Sequence, residues 1–167
     1  MREAGVTRYH ANLETSRRNF PNICTTHTYE DKLENIRRAQ AAGLEVCSGG
    51  ILGMGETWED RIDMALDLSE LGVVSIPLNL LTPIPGTPLE EAEPLTEEDV
   101  FRSVAIFRLL NPDAWIRMAA GRRRFADGGK ELFRCGANAA ITGDMLTTTG
   151  TGIAEDRTMF AQLGYEI

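Results

Sequence analysis

Four side chains in this 167-residue sequence are of an unexpected kind for their places. Asn12, Cys47, Asn79 and Arg117 each lie in, or directly after, a short apolar run of the sort that forms a β-strand. Burying an unpartnered amide or guanidinium is costly. Four such residues on four successive runs therefore require either a satisfied polar network or a cavity with chemistry to do. Cys47 is the most informative of them. It closes the run Leu44-Glu-Val-Cys47 and precedes Gly49-x-Ile51-x-Gly53-x-x-Glu56. A sulfur so placed suits a nucleophile, a metal ligand or a small buried hydrophobe, and all three stay open. The glycines permit close backbone approach and Ile51 offers an apolar edge to a flat ring, which favours the cavity, although such a loop could also cradle phosphate.

The elements that must carry these residues follow from caps and periodicity. Thr28 with Asp31, Thr57 with Asp60 and Thr96 with Asp99 have the spacing of helix capping boxes. They open helices that stop at Gly43, Gly72 and Pro112. Leu33 and Ile36 form the apolar side of the first, Ile62, Ala65, Leu66 and Leu71 that of the second, and Val100, Val104 and Phe107 that of the third. Strands are predicted over Arg8 to Leu13, Leu44 to Cys47, Val73 to Asn79, Trp115 to Met118 and Ala137 to Thr142. Strict alternation of strand and helix argues for a parallel sheet. An open doubly wound sheet and part of an eight-stranded α/β barrel both satisfy it. A complete barrel needs about 250 residues, so this chain supplies roughly five of the eight units. Met1 to Gly5 reads as the last turn of a helix, as though the chain starts in mid-fold. The proline-rich stretch from Leu80 to Pro94 is expected to be an irregular loop.

Composition removes several classes of function. A formal net charge of −8 at pH 7 disfavours nucleic acid and anionic membranes as partners. No apolar run is long enough to span a bilayer, and no signal-peptide pattern opens the chain, so the expected compartment is the cytoplasm. Cys24 and Cys135 form neither a C-x-x-C pair nor a zinc spacing and are read as buried small hydrophobes. The run Arg122-Arg123-Arg124 is read as a solvated loop.

One set of motifs goes further. Arg8-Tyr-His-Ala-Asn-Leu-Glu-Thr15, Cys24-Thr-Thr-His-Thr-Tyr29, Val46-Cys-Ser-Gly-Gly-Ile51 and Pro77-Leu-Asn-Leu80 succeed one another along the chain. Gly86-Thr-Pro88, Arg117-Met-Ala-Ala-Gly-Arg122 and Gly136-Ala-Asn138 follow in the same order. In these motifs the chain resembles the biotin synthase family of radical S-adenosylmethionine enzymes, over the second part of such a protein. The resemblance implies a partial (βα)8 TIM-type barrel of about five consecutive βα units. Residues 1–79 would be strands of the radical enzyme core, and 80–167 the biotin-and-thiamin-synthesis-associated region that completes it.

The resemblance also implies chemistry. A reduced [4Fe–4S] cluster cleaves S-adenosylmethionine, the resulting 5′-deoxyadenosyl radical activates dethiobiotin, and an auxiliary [2Fe–2S] cluster supplies sulfur. By the same resemblance Cys47 and Arg117 would be ligands of the auxiliary cluster. Asn12 would lie between cofactor ribose and substrate, and Asn79 would be a second substrate contact. Glu14 would hold the ribose, Lys32 the methionyl carboxylate, and Ile51 and Leu80 would flank the adenine. A flavodoxin or ferredoxin would donate electrons, a preceding barrel half would complete the fold, and the whole enzyme would be a homodimer. Two departures stand out. His10-Ala11 replaces the family's usual Asn-His, and the C-x-x-x-C-x-x-C motif is absent from these residues. The chain alone is therefore expected to be inactive.

Overall fold

The computed structural model describes residues 1–144 and 149–166. All three Thr-x-x-Asp boxes form. Thr28, Thr57 and Thr96 each accept from the backbone N–H three residues on and are answered by the carboxylate there. These caps open α2 (Tyr29–Ala41), α3 (Trp58–Glu70) and α4 (Glu97–Leu110). The described residues also form three shorter helices: α1 (Phe20–Ile23), α5 (Lys130–Arg134) and α6 (Ile153–Gln162). Sequence periodicity does not announce them. At the start, Arg2–Ala4 is a single 3-10 turn closed by Gly5 at a φ of 84°, in keeping with the expected helix end.

Among the described residues six strands form one sheet: β1 (Arg8–His10), β2 (Glu45–Cys47), β3 (Gly50–Leu52), β4 (Ser75–Leu80), β5 (Trp115–Met118) and β6 (Ala139–Ala140). Every pairing is parallel, and the order is β1-β2-β4-β5-β6 with β3 also on β4. A doubly wound sheet requires the strand order to reverse at a switch point. This order never reverses, so successive crossovers step in one direction and their helices share one face. The arrangement is a sector of a singly wound barrel. One sheet runs across the junction at residues 79 and 80, which both belong to β4.

Alternation along the strands separates two faces. The helix-facing set includes Val46, Leu52, Ile76, Leu78, Leu80, Ile116 and Met118, all in the buried core with Leu33, Ile36, Leu68, Val104 and Phe107. The opposite set includes Cys47, Ile51, Ser75, Asn79, Trp115 and Arg117.

Several expectations need correction. The strand through Cys47 does not give way to a glycine turn. It bends at Ser48 and Gly49 and resumes as β3, with Ile51 opposite Asn79. On α3, Ile62 and Leu66 are 37% and 42% exposed, whereas Met64, Leu68, Asp60 and Arg61 are buried. Polar pairing decides that face: Asp60 accepts from Ser16 Oγ at 2.6 Å and Arg61 Nε donates to Glu56 at 2.9 Å. The triple arginine is not wholly solvated either. Arg122 is buried and donates to Asp156 at 2.7 and 2.6 Å, pinning α6 to the loop after β5. Cys24 and Cys135 are only partly buried. From residue 81 to residue 95 the chain forms no helix or strand, as its prolines require.

Candidate functional site

The inner face of the sheet gathers most of the residues singled out above. Cys47 opposes Ser75, and Ser75 opposes Trp115, so these three stand in one row across β2, β4 and β5. One step further along, Pro77 opposes Arg117, and Arg117 opposes Ala139. Cys47 and Arg117 thus lie on the same face two strands apart, with Ser75 and Pro77 between them. The Cys47 sulfur is buried and accepts a hydrogen bond from Ser75 Oγ at 3.3 Å. Arg117 is half-buried and lines a cavity of about 610 Å³ with Arg8, Trp115, Ala139, Ala140 and Ile141. No hydrogen bond or ion pair holds its guanidinium among the described residues.

The two asparagines tie the bend in β2–β3 to its neighbours. Asn12 Oδ1 accepts from Gly49 N at 3.1 Å. Asn79 Nδ2 donates to Gly50 O, and its Oδ1 accepts from Ala120 N, both at 3.2 Å. Asn12 leaves its Nδ2 free apart from a long 3.5 Å approach to Glu14.

Close approach explains why glycines occupy the bend. A Cβ on Gly49 would fall 1.9 Å from Pro77 O, and one on Gly50 would fall 2.5 Å from Glu14 O. Their bare backbone meets neighbouring strands, so at these two positions protein packing fixes the residue type.

Glu14 is the one non-glycine residue with positive φ among the described residues, at 72°. Its N–H donates to Gly49 O and its carbonyl accepts from Ile51 N, at 3.1 and 2.9 Å. A left-handed side chain held by bonds on both sides is costly and persists where the surroundings over-determine it. Beyond β3, the turn is fixed by Glu56, whose carboxylate accepts from Gly53 N at 2.8 Å and Met54 N at 2.7 Å. Arg61 binds the same carboxylate and lies over the Trp58 ring, 4.6 Å from its centroid.

Not every candidate joins this group. Leu80 opposes Leu52 and is buried in the helix-facing core, whereas Ile51 opposes Asn79 on the other face. The two therefore do not face one another across a shared slot. Alternation by two, counted from Asn79, would have placed Leu80 there from sequence. Lys32 lies in the first turns of α2 and is half-buried. Ser75 and Pro77 were missed: nothing in a buried Ser or Pro announces that it stands between two site residues.

The donor set suits one side of a thiolate-bound iron–sulfur group. Soft Cys47 is present, its sulfur is oriented by a hydroxyl, and an unpaired Arg117 shares its face. Among the described residues no group of three His, Cys, Asp or Glu side chains is arranged to hold a metal ion. The remaining ligands of such a group are not supplied by these residues.

A one-directional parallel sheet with Cys47 and polar residues on its inner face defines a sector of an α/β barrel. Residues 77–166 match the Biotin and Thiamin Synthesis associated domain, and residues 1–68 match the Radical SAM superfamily. The chain belongs to the Biotin and Thiamin Synthesis associated domain family and corresponds to the C-terminal part of the biotin synthases. It is 63% identical over all of its 167 residues to the biotin synthase of Clostridium beijerinckii, covering 53% of that protein. It is 61% identical to that of Akkermansia muciniphila, covering 52%. The chain therefore spans about half the length of the curated relatives it matches. Among solved structures, methylornithine synthase superposes with a TM-score of 0.81 at 19% identity, over 99% of this chain and 53% of that one. The HMG-CoA lyase of Brucella melitensis gives 0.58 at 14% identity, over 96% and 60%. At those identities the likeness is one of fold.

Proposed function

We propose that this chain is the C-terminal half of the catalytic barrel of a biotin synthase, which inserts sulfur into dethiobiotin with S-adenosylmethionine as radical source. The observation that carries the reading is Cys47 and Arg117 on one inner face, separated only by Ser75 and Pro77 of β4. Identity above 60% to biotin synthases over the full chain supports it.

In the complete enzyme the iron–sulfur groups and S-adenosylmethionine supply radical generation and the sulfur atom. The residues of this chain bind, orient and shield. Cys47 and Arg117 would hold the auxiliary cluster, with Ser75 fixing the direction of the thiolate. The free Nδ2 of Asn12 can donate to a substrate carbonyl, and Asn79 retains one N–H and one lone pair beyond its two backbone bonds. Glu14, its backbone braced by Gly49 and Ile51, would offer its carboxylate to ribose hydroxyls. Lys32 supplies a cation for a carboxylate, without the two-pronged geometry an arginine would give. Ile51 offers one apolar edge to an adenine. The [4Fe–4S] ligands, the electron donor (flavodoxin or ferredoxin), the other barrel half and any homodimer partner lie outside this chain.

The test is reconstitution. With iron, sulfide, a reductant, S-adenosylmethionine and dethiobiotin, the purified chain alone is expected to form no biotin. Addition of an N-terminal barrel half is expected to restore formation, and Cys47→Ala to abolish it again. Biotin formed equally well by the Cys47→Ala complex would overturn the sulfur-supply role. A radical enzyme of the methylornithine synthase type shares the fold, but a reaction without sulfur insertion has no use for the Cys47–Arg117 pairing.

A further inference from the structure

A second set of reactive groups lies away from the inner face, on the connection between α1 and α2. Cys24 Sγ is 3.4 Å from Thr26 Oγ1 and 3.4 Å from His27 Nδ1, and those two atoms are 3.0 Å apart. A thiol, a hydroxyl and an imidazole nitrogen thus form a closed triangle at the surface. The His27 ring is held edge-on against Phe20, with centroids 5.5 Å apart, which fixes the imidazole over the sulfur. The charged groups facing this triangle are Lys32 and Asp31, both in the first turns of α2. Hydrogen bonds from the Thr26 hydroxyl and backbone hold the Cys24 thiol below its ordinary range against the opposing effect of burial, with lesser help from the His27 backbone and the charge of Lys32.

The other two cysteines are arranged differently. Cys47 is buried on the inner face, and burial together with Glu131 pushes the Cys135 thiol up. Nucleophilic sulfur requires thiolate, access and a nearby group to exchange protons. Among the three, Cys24 alone combines a lowered thiol, partial exposure and a histidine nitrogen within 3.4 Å.

We propose that Cys24, with Thr26 and His27, is a reactive thiolate site that forms mixed disulfides with low-molecular-weight disulfides. The Cys24 thiolate attacks one sulfur of the incoming disulfide. The new Cys24–sulfur bond forms as the old S–S bond breaks, and the departing thiolate takes up a proton, from His27 or from water. Cys24 is oxidised and the small disulfide gives one reduced thiol, so no further oxidant is needed. The charge of Lys32 acts on Cys24, so the carboxylates of a glutathione-like disulfide would be attracted to this site. The inference concerns neither Cys47 nor Arg117 and shares with the proposed function only Lys32, whose charge acts on Cys24.

The experiment treats the purified chain with oxidised glutathione and maps adducts by peptide mass, alongside the pH dependence of iodoacetamide labelling at each cysteine. Cys24 is expected to be modified first, with a labelling midpoint below that of the same thiol in the urea-unfolded chain. Thr26→Val and His27→Ala are each expected to slow the reaction at pH 7 by roughly three- to tenfold, and Cys24→Ser to remove it. Both loop substitutions lie outside the core, and circular dichroism verifies the fold. Equal labelling of Cys24 and Cys135, an unshifted midpoint, or full reactivity in both loop variants would each overturn the proposal.

Discussion

The two faces of one sheet follow different rules in this chain. Toward the helices, β4 and β5 present Ile76, Leu78, Leu80, Ile116 and Met118, and packing leaves no room for other types. Toward the inside, the same two strands present Ser75, Pro77, Asn79, Trp115 and Arg117, and Trp115 is 55% exposed. Backbone, twist and pairing are common to both faces, so the difference is one of purpose. The outer face secures the fold by apolar packing, whereas the inner face carries polar groups, of which Asn79 ties neighbouring segments together and Arg117 makes no bond among the described residues. Substitutions on the two faces should therefore separate stability from function.

The largest stability effect is expected from Phe107→Ala, which empties a wholly buried ring of α4 behind the outer face. A loss of about 3–5 kcal/mol is expected, read from the denaturant midpoint. A loss under about 1 kcal/mol would show that the helix layer is loosely seated, and the contrast between faces would weaken.

Asp156→Ala comes next. It leaves the buried Arg122 guanidinium without its carboxylate, and breaking such a pair costs about 3–5 kcal/mol where desolvation is complete. The value should fall at the lower end, because Gly128 O still receives Arg122. Burial alone would raise the Asp156 carboxyl, but hydrogen bonds from Arg122 and Thr151 outweigh it and hold the group below its ordinary range. A carboxyl lowered by folding stabilises above its unfolded value and loses that contribution as pH falls through its folded one. The wild-type chain should therefore lose stability in that acid range more steeply than Asp156→Ala, as a denaturant series across pH would show.

Thr57→Ala is expected to cost about 1 kcal/mol, since it removes the cap from α3. Its carboxylate partner Asp60 also receives Ser16, so chain separated by 44 residues senses the loss. Thermal unfolding would measure it.

The capping boxes were the most legible part of the fold. Each is a local arrangement, complete within four residues, and the strand-to-helix alternation that they punctuate yields the parallel sheet. Whatever depends on distant partners was hidden. Asp60 and Arg61 on α3 look solvent-facing until Ser16 and Glu56 arrive, so the apolar face was drawn through Ile62 and Leu66 instead. Arg122 looked solvated because Asp156 lies 34 residues on. Gly49 and Gly50 invited a ligand because the strands that crowd them cannot be seen in sequence. Cys47, Asn79 and Arg117 stood out for the opposite reason: a misfit type in an apolar run is visible locally. Leu80 was assigned with them through the family likeness, and period-two alternation places it on the other face.

The smallest stability effect falls on the inner face and is the sharpest test of the comparison. Arg117→Met keeps the unbranched stem of the side chain and removes a guanidinium with no partner among the described residues. No bond is lost and no buried carboxylate is left unpaired, so stability should change by no more than about 0.5 kcal/mol. On the function proposed above, in which Arg117 would hold the auxiliary cluster, the same substitution in the assembled enzyme should sharply alter that cluster's visible absorption. A large loss of stability with unchanged absorption would make Arg117 a structural residue. The inner face would then obey the same packing rules as the outer one.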